Sequence, residues 1–145
     1  MRILLVAISL LASACFSAQD AGECNTDSQC GDGFSCTRTA ECVEIARLSS
    51  TRLTWTINGI TPSPADSTAC NGIGELEVDF DDSLNGLGTG FAPVPCANGQ
   101  VYYDKMPPRF DSVTLVAKDN AGRRLTSESA VLREGENVVA LDLRP

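Results

Sequence analysis

Four cysteines, Cys24, Cys30, Cys36 and Cys42, recur with five residues between neighbours in the stretch CNTDSQCGDGFSCTRTAEC. The stretch is polar, and Phe34 is its only large apolar side chain before Val43. So short a segment buries too little apolar surface to offset its chain entropy, so covalent staples must hold its shape. Two disulfides do this, and four cysteines allow three pairings, among which the spacing does not choose. Zinc fits less well, because structural zinc sites place paired ligands about two to four residues apart and the chain contains no His. Residues 24–46 are expected to form a cysteine-rich module.

Disulfides need an oxidising compartment, and the amino terminus supplies the route to one. Met1-Arg2 carries a positive charge, Ile3 to Ala12 is apolar except for Ser9, and Ala12-Ser13-Ala14 presents small residues before Cys15. That order reads as a signal peptide over residues 1–14. A spanning helix needs ~20 apolar residues, about twice this run, so the segment does not read as a membrane span. "LLASAC" resembles the lipobox of bacterial lipoproteins, with Ala12 where Leu is more usual. The resemblance implies cleavage that leaves Cys15 first, its thiol carrying a diacylglycerol, with palmitate among the acyl chains. Phe16 rather than Asp after the cysteine implies the outer membrane. The alternative is ordinary secretory cleavage after Ala14. Several acyl chains anchor stably, whereas one is marginal at ~0.8 kcal/mol per buried methylene. Residues 15–23 then form a lipidated tether, whose eight residues from Phe16 to Glu23 reach at most ~28 Å.

The formal charge is −8. Without Arg2, 19 acids face 10 bases, and a chain lacking a basic cluster cannot release counterions from a phosphate backbone. Nucleic acid is therefore not an expected partner.

The remaining pair, Cys70 and Cys96, would close a loop worth ~3.5 kcal/mol in the chain-entropy model. They lie in a segment that reads as strands. In "RLTWTIN", Leu53, Trp55 and Ile57 alternate with Thr54 and Thr56; in "GELEVDFDD", Leu76, Val78 and Phe80 alternate with Glu75, Glu77, Asp79 and Asp81. "SVTLVAKD" and "NVVALDL" are β-branched runs, and "QVYYD" and "TSESAVL" are weaker candidates. Asn-Gly, Pro-Pro and related turn signals separate them. The expected fold is mainly β: one antiparallel sandwich of about seven strands over residues 47–145, with no amphipathic helix outside the signal.

The four-cysteine pattern resembles small modules of the EGF and Dickkopf amino-terminal kind and those of many bacterial surface lipoproteins. That resemblance implies interleaved bonds, Cys24 with Cys36 and Cys30 with Cys42. "VYYDKMPPRFDSVTLVAKDNAGRRL" is similar to prealbumin-like and carboxypeptidase-regulatory-like sandwiches, with Met106-Pro107-Pro108 and Asp119 to Gly122 in the places of their Pro-Pro turn and hairpin. Arg109 and Phe110 stand where those repeats carry Gly and Tyr. An immunoglobulin-like topology would give nearly the same pattern.

Catalytic parts are scarce. Without His, a phosphate loop or a nucleophile elbow, the usual hydrolase and transferase arrangements are incomplete. Asp79, Asp81, Ser83 and Asn85 have the alternate spacing of calcium-loop ligands, but Leu84 and Gly90 stand where an EF-hand needs Gly and Glu. Asp79 and Asp81 are thus weak metal candidates, and no cofactor is expected. Glu75, Glu77, Asp79 and Asp81 form an acidic stripe that reads first as a solvated outer face. Trp55 is expected in the core, and one of Tyr102 and Tyr103 must point outward. The functional expectation is a non-catalytic lipoprotein of the bacterial cell envelope, displaying its sandwich for adhesion, envelope structure or contact with another macromolecule. The alternative is a cysteine-rich effector or inhibitor carried on the sandwich.

Overall fold

The computed structural model describes residues 23–145; Cys15 and the segments expected to be a signal peptide and a tether, up to residue 22, lie outside them. Nine strands form three sheets among the described residues, and every helical segment there is a single 3₁₀ turn. Strands β1 (Phe34–Cys36) and β2 (Cys42–Glu44) make a small antiparallel hairpin in the cysteine-rich module.

Seven strands build the sandwich. Its first sheet has the order β6 (Gln100–Met106), β3 (Ser49–Ile57), β9 (Glu136–Leu143), with β3 antiparallel to β6 and parallel to β9. The second has the antiparallel order β5 (Leu87–Val94), β4 (Glu75–Asp82), β7 (Ser112–Lys118), β8 (Arg124–Val131). Side chains alternate across a strand, so Leu53, Trp55 and Ile57 face Leu76, Val78 and Phe80 across one shared core. The ring of Phe80 is surrounded by those of Phe91, Tyr103 and Phe110, at centroid separations of 5.5, 5.2 and 5.6 Å. Trp55 is buried, and its indole N–H donates to the Cys96 carbonyl at 2.8 Å. Tyr103 points inward and Tyr102 outward, as a regular strand requires.

Two strands depart from the alternating pattern for physical reasons. Strand β5, "LGTGFAPV", lies at a sheet edge and was not expected from the sequence. Gly88 and Gly90 there sit opposite Asp81 and Asp79, and a Cβ at Gly90 would come within 2.9 Å of the Asp79 carboxylate. Pro93 falls where the pairing with β4 shifts register between Phe91 and Val94, a position at which no ladder donor is lost. Strand β8 is also an edge: its inward positions Thr126, Glu128 and Ala130 pair with Ala117, Leu115 and Val113. An exposed charge on the inner side of an edge strand opposes pairing with another chain, which is why β8 shows no apolar alternation.

Candidate interaction surfaces

All six cysteines of the described residues are paired: Cys24 with Cys36, Cys30 with Cys42, and Cys70 with Cys96. The first two bonds interleave, as the resemblance to small cysteine-rich modules implied. The sulfurs of Cys24, Cys30 and Cys42 lie within 4.8 Å of one another. That separation would suit a thiolate metal site, but a sulfur held in a disulfide has no thiolate to offer. Cys15 lies outside the described residues.

The module contributes no residue to the sandwich core. It docks instead through polar contacts on a defect in β6. Between Tyr103 and Met106 this strand carries one residue more than β3 opposite it, a β-bulge that turns side chains out of the ladder. Lys105 in the bulge adopts a left-handed backbone, with φ of 50°, and its ammonium donates to Asp27 of the module at 2.6 Å. Its carbonyl accepts from the Arg38 N–H at 3.1 Å. Asp104 beside it pairs with the Arg38 guanidinium at 2.5 Å.

Arg109 completes the junction. Its Nη2 donates to Glu41 of the module at 2.5 Å, its Nε lies 3.8 Å from the buried Asp82 carboxylate, and its guanidinium rests 4.6 Å from the Phe110 ring centroid. Nη1 is buried and has no hydrogen-bond partner among the described residues. A stacked, planar fork suits this place better than a lysine would. Asp27 also accepts from Ser35 Oγ and the Cys36 N–H. With the Lys105 hydrogen bond as the largest influence, these partners lower its pKa to about 2.

The acidic residues divide into three environments. Glu75 and Glu77 share Lys118 across the strand pair. Asp79 and Asp81 share the outer face of β4, where burial, then the charges of Glu77 and Asp81, push the Asp79 pKa up. Asp82 points the other way. It is buried and accepts from the Asn85 backbone N–H and side-chain amide at 3.2 and 2.7 Å, which fixes the turn into β5. The alternate spacing that suggested a calcium loop is thus strand alternation followed by a turn.

Sequence reasoning missed the junction because Arg38, Asp104, Lys105 and Arg109 carry no motif. No helix of the described residues is long and apolar enough to cross a membrane. Comparison with protein-family models, with curated proteins and with solved structures finds no match to this chain.

Proposed function

We propose that the mature chain is a non-catalytic lipoprotein of the cell envelope, anchored through Cys15 and displaying a stapled module and a β-sandwich to another macromolecule. The observation that carries this reading is the cysteine accounting. Every cysteine of the described residues is bonded to another one, so none is left for Cys15, the odd member of seven. It directly follows the small-residue site of an export signal, and acylation gives its thiol a use.

The junction supports display. A tether ending at Glu23 enters a module that is stapled internally and clamped to the sandwich by Arg38, Lys105 and Arg109. Such a body presents the module and the sandwich as one unit at the end of the tether. The same clamp favours the module as a spacer over the module as an independent effector. The prealbumin-like resemblance, with Phe16 directing the chain to the outer membrane, belongs to this proposal. Replacing Cys15 with Ser should move the protein from the membrane fraction to the soluble fraction of cells. Deleting residues 24–42 should leave partner binding by the sandwich in place, whereas its loss would favour the effector reading.

A further inference from the structure

The outer face of the β6-β3-β9 sheet carries a groove of about 400 Å³, which lies within the usual range for small-ligand sites of about 300–1,000 Å³. Its floor is Ala140, which sits level with Thr54 in the parallel pairing of β3 and β9. The small side chain leaves a depression between larger neighbours. One wall is the Thr61-Pro62 loop and another the Asn98-Gly99-Gln100 turn.

The walls are held in place before any ligand arrives. The Cys70–Cys96 bond ties the segment after β3 to the turn before β6. The Gly99 carbonyl accepts from the Trp55 backbone N–H at 3.0 Å. The turn and loop touch so closely that a Cβ at Gly99 would lie 2.7 Å from the Pro62 carbonyl oxygen, and its φ of +66° is strained for any side chain. A pre-organised wall removes an ordering cost from binding.

The chemistry of the lining selects the ligand. Its one carboxylate, Asp142, is already engaged: Thr56 Oγ1 and the Gly59 N–H donate to one oxygen, each at 2.7 Å, and Arg144 Nε to the other at 2.9 Å. These partners, Thr56 first, lower its pKa to about 2, and Arg144 balances its charge. No Lys or Arg lines the groove, and Arg144 beside it is already paired with Asp142. The Asn98 and Gln100 amides and the Thr61 hydroxyl make no side-chain hydrogen bond among the described residues. Planar amides donate and accept at once, which matches adjacent hydroxyls, while the exposed Ala140 offers apolar surface to C–H groups. We propose that this groove binds an uncharged polyhydroxylated ligand, a neutral saccharide. The inference names a ligand class for the display reading and rests on it only in assigning the contact to the sandwich; it does not require the lipid anchor.

The test uses isotope-labelled chain from Asp20 onward, which retains every described residue and needs no membrane. Maltotriose, cellotriose, chitotriose and mannotriose are added singly at ~10 mM, well above the millimolar Kd of a weak site. Glucuronate and inorganic phosphate serve as charged probes. At least one neutral trisaccharide should shift the side-chain amide signals of Asn98 and Gln100 saturably, and the charged probes should not. Ala140→Phe, at an exposed position, should fill the groove and weaken binding at least tenfold without lowering the melting temperature; Gln100→Ala should weaken it several-fold. The proposal is overturned if none of the four moves those amides, if the charged probes move them equally, or if Ala140→Phe binds unchanged. Membrane release by Cys15→Ser is scored separately, so failure of one idea leaves the other standing.

Discussion

Phe34 in the module and Phe80 in the sandwich are the same residue type under two different regimes. Phe34 is 46% exposed on a three-residue strand, and Phe80 is fully buried among three other rings. The module has two disulfides within nineteen residues and no share of the core, whereas the sandwich has one disulfide and a continuous apolar interior. One region is held by covalent bonds that restrict its unfolded chain, the other by apolar surface removed from water. The junction between them belongs to neither regime and is ionic.

Truncating each phenylalanine separates the regimes most strongly. Phe80→Ala should cost the sandwich about 3–5 kcal/mol, the scale of an aromatic cavity. Phe34→Ala should stay within about 0.5 kcal/mol, as for a surface change. Denaturant melts of the two variants provide the comparison, and a large loss at Phe34 would mean that the module owns a core.

The disulfides give the next effect. Removing the Cys70–Cys96 bond with Cys70→Ser and Cys96→Ser should destabilise the sandwich by about 2–5 kcal/mol while leaving it folded. Reduction of all three bonds should abolish protection of module amides from hydrogen exchange, yet leave β4 and β7 protected. Equal loss in both regions would erase the distinction.

Arg109→Ala probes the junction itself. It removes the Glu41 pair and takes away the guanidinium that lies 3.8 Å from the buried Asp82 carboxylate, which keeps its hydrogen bonds from Asn85. A loss of about 1–3 kcal/mol is expected from the lost charged hydrogen bond to Glu41 and the uncompensated charge on Asp82. Exchange protection should fall in residues 38–41 and around Lys105 before it falls in the core. Salt screens half-exposed pairs, so raising ionic strength should act in the same direction at the junction and leave the core unaffected.

The smallest effect is a titration. The folded pKa of Asp27, at about 2, lies below its ordinary 3.8. Its contribution is therefore fully present above about pH 4 and is lost as pH falls through about 2. The Asp27 carboxyl signal should titrate near pH 2, and Lys105→Met should raise that midpoint towards the ordinary value.

The apolar alternation at Leu53 to Ile57 and Leu76 to Phe80 made β3 and β4 legible in the sequence, because burial on one face writes that pattern; β7 and β9 were legible as β-branched runs, and β6 and β8 only as weaker candidates. Strand β5 was not legible. Its glycines answer to the carboxylates of Asp79 and Asp81 on the neighbouring strand, and that relation exists only once the strands pair. The bulge at Asp104 and Lys105 was hidden for a similar reason, since a single inserted residue leaves no trace in periodicity. The interleaved bonds followed from a family resemblance, and spacing alone left all three pairings open. The groove over Ala140 depends on the parallel register of β3 and β9, which places residues 86 positions apart side by side.

The mass of the mature protein extracted from cell membranes bears on the whole account, from cysteine accounting to display. The expected product begins at Cys15, carries the added mass of at least a diacylglycerol, and takes up no alkylating reagent without prior reduction. A water-soluble mature chain from the unmutated gene, with an unmodified Cys15 thiol open to alkylation, would contradict it.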